Sequence, residues 1–330
     1  MSYTGRIDIE AVALDAIHHG AGTEGNTQVL RRQEVPRADG TIDTVPFISG
    51  NSVRHMLREG GVMYALEAMG IEFESLSKGV VDLLFSGGSL GGKNSMNLEK
   101  SKRIAELFPI LSLLGYSAGN SIRPGRIEVH NLHLKCEQNM FRAPEKVEEG
   151  SKWWVDAHAQ VGVNFGTRHD AARIATASRY LALPDAARSD MALDGKGKGK
   201  AKEPKGEEST QMIYEYEVIL PGTEFFGGIE YRALKEPELD ALVSALSYAC
   251  RGARGGGYEY VVGAKSGTGL GRMLWRFTGL SRQVRPAAMS VDSSLLPALA
   301  TGGTDRLDAY KTRLEQHRAE ILATLEEMSA

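Results

Sequence analysis

The sequence predicts an α+β fold, a ferredoxin-like (RRM-like) sheet carrying large insertions, and three observations predict it. Arg6–Leu14 alternates apolar and polar residues as a strand does. Asn51–Met69 sets Val53, Met56, Leu57, Met63, Tyr64 and Leu66 at helical spacing, and Arg126–Cys136 (RIEVHNLHLKC) alternates again. A strand pair, a second helix and a last strand follow, an order consistent with a split βαβ sheet and shared by other α+β folds.

Taken in order, the opening strand stops before the turn HHGAG, and a long loop runs from there to Val45. The first helix opens in SGNSVRHMLR. Between Glu72 and Gly119 helical stretches mix with glycine-rich loop, including GGSLGG. Met212–Leu220 (MIYEYEVIL) and Phe225–Tyr231 (FFGGIEY) flank Pro221-Gly222-Thr223 and read as a β-hairpin. Leu239, Leu242, Val243, Leu246 and Ala249 recur at helical spacing over Glu238–Cys250, and Met273–Phe277 reads as the last strand. A final helix is expected from Asp305 to about Met328, with Thr304 or Asp305 as N-cap. Arg188–Thr210 mixes Lys, Gly and Glu with almost no apolar residue after Leu193, too little to offset the entropy of ordering, so a disordered loop is expected there. No internal repeat is present.

At 330 residues, 42% hydrophobic and 25% charged, the chain is long enough for a substantial core. A net charge of -3 gives no bulk reason to expect nucleic acid, so any such reading rests on local clusters. The two cysteines, Cys136 and Cys250, have neither disulfide-framework nor zinc-site spacing. With no signal-peptide pattern and no run of roughly 20 apolar residues, a cytoplasmic protein without a membrane span is expected.

Two segments carry candidate chemistry. In SGNSVRHMLR, Ser49, Gly50, Asn51 and Ser52 stand where a helix begins, so backbone N–H groups and hydroxyls offer an anion site. Asn51, Arg54, His55 and Arg58 share one face of that helix, and positive charge near a helix N-terminus opposes the dipole unless an anion binds. An ordinary solvated face is the alternative reading. The second segment is Gly263–Arg272 (GAKSGTGLGR). Ala264 between Gly263 and Lys265 breaks the P-loop pattern, and the run leads into a strand where a dinucleotide fingerprint would open a helix. What remains is a loop that lets a polyanion approach Ser266, Gly267, Thr268 and Gly269, edged by Lys265 and Arg272. From Arg251 to Arg285 seven basic residues face the single acid Glu259.

A third stretch, Asn164–Leu181, mixes Arg168, His169, Arg173 and Arg179 with Phe165 and Tyr180, the residue types a single strand of nucleic acid needs for its phosphates and bases. A plain amphipathic helix fits it as well. Catalytic motifs are weak: adjacent His18 and His19 point to opposite faces of a strand, and neither HExxH nor GxSxG is present. No catalytic residue, metal site or cofactor is therefore assigned.

The order of these pieces resembles the RAMP superfamily of CRISPR systems, specifically its Cas-seven-like backbone subunits. The matching pieces are Pro46-Phe-Ile-Ser49-Gly-Asn-Ser52-Val-Arg54 at the first helix, Leu220-Pro-Gly-Thr-Glu-Phe225 at the strand pair and Gly263–Arg272 near the last strands. The resemblance spans roughly residues 5–278. HHGAGTEGNTQVLRRQEV and SLLGYSAGN look most like the type IV branch. It implies one hand-shaped domain over 1–330, with a finger insertion at 70–125, a thumb at 164–210 and a C-terminal helix at 305–328. It also implies a subunit that polymerises along CRISPR guide RNA, beside other effector subunits, and presents the guide for pairing with target DNA or RNA. Under it, the residues of the first helix and the glycine loop hold RNA phosphates, Arg168, His169, Arg173 and Arg179 act at the thumb, and His18, Asn26, Arg31 and Arg32 lie in the opening loop. Asn26 stands where cleaving relatives carry an aspartate, so no target RNase activity is expected, with Glu24 the residue that would overturn this. An endoribonuclease of the same superfamily, using His18, His19 and Tyr258, is the alternative, and a glycine-loop nucleotide-binding enzyme a third.

Overall fold

The computed structural model describes residues 2–37, 39–72, 74–88, 98–118, 121–143, 146–168, 212–249, 261–278 and 303–329. The strands are β1 (Tyr3–Ala13), β2 (Gly20–Glu24), β3 (Thr27–Leu30), β4 (Arg32–Pro36), β5 (Ile42–Ile48), β6 (Tyr116–Ala118), β7 (Ser121–Arg123), β8 (Ile127–Val129), β9 (Leu132–Leu134), β10 (Val161–Arg168), β11 (Met212–Ile219), β12 (Glu224–Leu234) and β13 (Met273–Thr278). The helices are α1 (Gly50–Ala68), α2 (Lys78–Val81), α3 (Leu98–Leu107), α4 (Pro109–Leu114), α5 (Glu236–Ala249), α6 (Gly303–Gln316) and α7 (Arg318–Ser329).

The main sheet runs β13-β1-β12-β9-β5-β4, with β8 also paired to β12. Taking β1, α1, β8/β9, β12, α5 and β13 in sequence gives the ferredoxin-like order, last strand, first, third, second, and its pairs are antiparallel. The fold class is therefore α+β, as the periodicities predicted. Register puts one apolar face together: Ile7 opposite Ile229, Ile9 opposite Phe277, Ala11 opposite both Phe225 and Trp275, and Ile48 opposite Leu132. These side chains are at most 2% exposed and belong to the core that also holds the apolar residues of α1 and α5. Because successive strand residues alternate faces, the other face carries Arg6, Asp8, Glu10, Glu230 and Arg276, a surface of mixed charge joined by ion pairs.

By contacts the chain forms two compact units, one of residues 1–21, 30–162 and 218–330, the other of Gly22–Val29 and Val163–Glu217. In the smaller unit β3 pairs in parallel with β11, Tyr216 opposite Gln28.

Four expectations are corrected. The loop expected between HHGAG and Val45 contains β2 to β5: β2 lies beside β3 and β4 pairs with β5, while β3 also joins β11 and β5 also joins β9, both distant in sequence. Met212–Leu220 and Phe225–Tyr231 are strands but not a hairpin. β11 joins the sheet β10-β11-β3-β2 and β12 the main sheet, and the intervening turn is pinned to β1 by Ala13 N–H to Thr223 O (2.9 Å) and Gly222 N–H to Ala13 O (2.8 Å). The strand expected over Arg126–Cys136 is broken in two at His130-Asn131, and the C-terminal helix is two helices separated at His317. The disordered loop expected over Arg188–Thr210 lies outside the described residues. Among the described residues no helix is long and apolar enough to cross a membrane.

Candidate nucleic-acid interface

The fold brings the start of α1, the opening turn and the glycine loop together. Ser49 caps α1, its hydroxyl oxygen accepting from Ser52 N–H at 3.3 Å. Ser49 N–H donates to His19 Nε2 at 3.1 Å, and Gly50 N–H donates to Asn131 Oδ1 at 2.8 Å. The glycine loop is tied to the opening turn by Ala264 N–H to His18 O and Gly271 N–H to Ala16 O, both 2.9 Å. Gly263 is required at that seam: its φ is +87°, and a Cβ would lie 2.4 Å from His18 O. Between the two ties the tip Ser266–Gly269 is exposed, folded into one 3-10 turn on Lys265 O.

This geometry corrects the anion-site reading of the helix start. The N–H groups of Ser49, Gly50 and Ser52 are spent on His19, Asn131 and Ser49, so these three donors are engaged within the protein. Nothing in the sequence singles out Asn131 except that it interrupts the alternation of RIEVHNLHLKC.

The arginines are corrected too. Arg58 is buried, 8% exposed, and its Nη2 donates to Leu114 O (3.1 Å) and Gly115 O (2.6 Å). Arg54 is half-buried, donates to Ile127 O at 3.0 Å and also bonds Leu114 O. Burial lowers both guanidinium pKa values, Arg58 to about 10, with Arg54's charge adding to the shift. Both cations sit on the carbonyl end of α4, where a helix dipole is negative, so the charge that looked set against one helix serves another. Arg272 is bound through two nitrogens to Asp15, one contact at 3.0 Å, and this pairing holds the Asp15 carboxyl below the usual carboxylate range.

On the exposed surface remain Asn51, His55, Arg31 and the tip Ser266–Gly269, with Lys265 and Arg32 half-buried beside them. His55 lies 3.7 Å from Glu59 one turn on. Arg168 ends β10, while Asn26 and Glu24 stand at the exposed β2–β3 turn, where Asn26 O accepts from Glu215 N–H at 3.2 Å. These three belong to the smaller unit, His18, Arg31 and Arg32 to the larger. His169, Arg173, Arg179 and Tyr258 lie outside the described residues.

His18 is 3% exposed, and His19 uses its Nε2 as an acceptor. Burial, with the nearby Arg31 and His18, lowers the His19 pKa to about 4, and burial with Arg142 and His130 does the same for His133. Folded values below the ordinary 6.5 mean that the unfolded chain binds more protons. Stability is therefore full above about pH 6.5 and is lost as pH falls toward 4. Both rings are partly exposed, so the expected loss between pH 7 and 5 is about 2 kcal/mol after allowing for solvent screening. Urea midpoints across that range test this, and a midpoint unchanged from pH 7 to 5 contradicts it.

Among the described residues, ligand atoms of Glu128, His130 and Glu230 lie within 4.8 Å of one another. Arg6 and Arg232 also stand 3.4 and 3.8 Å from Glu230, so the group reads as an ion-pair network on the charged face of the sheet.

Residues 3–83 match the model of the DevR family, CRISPR-associated negative auto-regulator DevR/Csa2. A comparison with curated proteins gave no match. Among solved structures the chain is similar to a chain of a Type IV-B CRISPR complex, with 18% identity over 86% of this chain and 93% of that one and a TM-score of 0.48. It is also similar to Cmr6 from Pyrococcus furiosus, with 14% identity over 83% and 99% and a TM-score of 0.36. The segment of residues 3–83, from β1 through α1, is thus similar to the CRISPR-associated DevR/Csa2 family, and the resemblance to CRISPR proteins read from the motifs stands.

Proposed function

We propose that the protein is a multi-copy, non-enzymatic backbone subunit of a type IV CRISPR ribonucleoprotein. It binds guide RNA along the phosphate backbone and presents it for pairing with target DNA or RNA, alongside other effector subunits. The observation that carries this reading is the family match over residues 3–83, which contains both the opening turn and the start of α1. The joining of that segment to the glycine loop supports it further.

Within this reading the RNA runs past the exposed loop tip and the outer face of α1, at Ser266–Gly269, Lys265, Asn51, His55 and Arg31. The open face of the sheet offers a phosphate little, because its cations Arg6, Lys135 and Arg276 are already paired with Asp8, Glu10 and Glu230. The repeat-cleaving alternative gains nothing from His18, which is buried, or from His19, whose acceptor nitrogen is occupied. The nucleic acid that the protein carries when purified from cells expressing a CRISPR array tests the reading. Bound RNA of one guide length is expected, and protein free of RNA or carrying only random fragments would overturn it.

A further inference from the structure

On the larger unit, away from the glycine loop, an open cleft of about 650 Å³ lies between α3, α4, the β7 strand and α6. Six lysines and arginines line it, against two glutamates. The glutamates are already committed. Glu238 receives Ser112 Oγ–H (2.5 Å), Arg126 (3.0 Å) and the backbone N–H of Lys235 (2.8 Å), the last closing the first turn of α5. Glu106 faces Arg103 at 3.8 Å, and its backbone carbonyl accepts from Arg313 at 2.8 Å. Lys102, Arg123 and Lys235 have no acidic partner among the described residues, and so they leave the cleft positive inside a protein of net charge -3. The floor adds hydroxyls: Tyr116 and Ser101 share a 2.5 Å hydrogen bond, and the Arg123 charge reaches the Tyr116 phenol and opposes the upward pKa shift that burial imposes. Leu107, Pro124 and Pro237 supply apolar wall.

We propose that this cleft binds a nucleotide through its phosphate, with Arg123, Lys102 and Lys235 as the cationic donors. The volume is in the range of small-ligand sites, which join apolar walls to a few convergent polar groups. Three cations without carboxylate partners, lining one cleft, suit a phosphate in charge. The nucleotide comes either from solution or from a strand of nucleic acid; the strand source rests on the function proposed above, the free nucleotide does not.

The test is calorimetric titration of the full chain with ATP, with AMP and with a six-residue oligouridylate, on the wild type and on a protein carrying Arg123→Ala and Lys235→Ala. Both side chains end at the surface of the cleft, and an unchanged melting temperature verifies that the variant is folded. At least a tenfold loss of affinity in the variant supports the site. If the loss is confined to ATP and AMP, the ligand is a free nucleotide, and if confined to the oligomer, it is a strand. Equal affinity in both proteins, or a wild type that binds none of the three probes, overturns the proposal. The guide-length RNA retained on purification is read separately on the same variant, so failure of the cleft and failure of the proposed function are distinguished.

Discussion

Gly50→Ala is expected to destabilise the protein by about 3 kcal/mol or more, enough to leave much of it insoluble. A Cβ on Gly50 would stand 2.2 Å from Val129 O and 3.0 Å from both C and O of His130. Each of these is backbone, so no flexible side chain can swing aside. The first turn of α1 must withdraw from β8, and the bond from Gly50 N–H to Asn131 Oδ1 goes with it. The substitution keeps the N–H, so a residue whose role is to donate that N–H to a phosphate would tolerate it. Gly267→Ala is the internal control: nothing lies within 4 Å of a Cβ there, and the change is expected to stay within about 0.5 kcal/mol. Urea denaturation of the two variants decides between packing and ligand donation. A Gly50→Ala protein as stable as wild type would show that the contact with β8 is not needed.

Arg58→Met is expected to cost about 3 kcal/mol, because a side chain of similar length fills the space but cannot donate to Leu114 O and Gly115 O. Arg54 still reaches Leu114 O, so the loss falls chiefly on Gly115, whose φ of +72° and close packing against Gly125 fix the turn out of α4. Lysine does not substitute, since a single ammonium lacks the guanidinium's spread of donors. Hydrogen exchange over α4 and β6 reads the effect locally, and loss of protection there is expected. A variant of unchanged stability that binds RNA more weakly, with a shallower salt dependence, would return Arg58 to the phosphate contacts.

These two positions also show how far the sequence reaches. β1, α1, α5 and β13 are legible because each buries a regular face, and their periodicity is printed in Ile7, Ile9 and Ala11 or in Leu239, Leu242 and Leu246. β2 to β5 are not, because these short strands are mostly exposed or half-buried and print no clean apolar alternation, and the joins of β3 to β11 and of β5 to β9 link stretches far apart in the chain. The pair around Pro221 misleads for the same reason: turn chemistry is local, whereas the choice of sheet is made by β1 and β10. At the candidate site, Arg54 and Arg58 look alike whether the helix face meets water or the end of another helix. The clue lies three residues on, where Gly61 leaves room for Ile110 to come within 2.5 Å of a would-be Cβ, marking a face that another helix covers. Lys102, Arg123 and Lys235 are gathered from three separate stretches of chain and carry no signal before folding.

The most direct measurement is the mass of the assembly recovered from cells that also express a CRISPR array, taken before and after ribonuclease treatment. Several copies of the chain on one RNA of uniform guide length are expected, with the assembly collapsing to smaller species once the RNA is digested. A monomer free of nucleic acid, or an oligomer whose mass does not change on digestion, would contradict the proposed function.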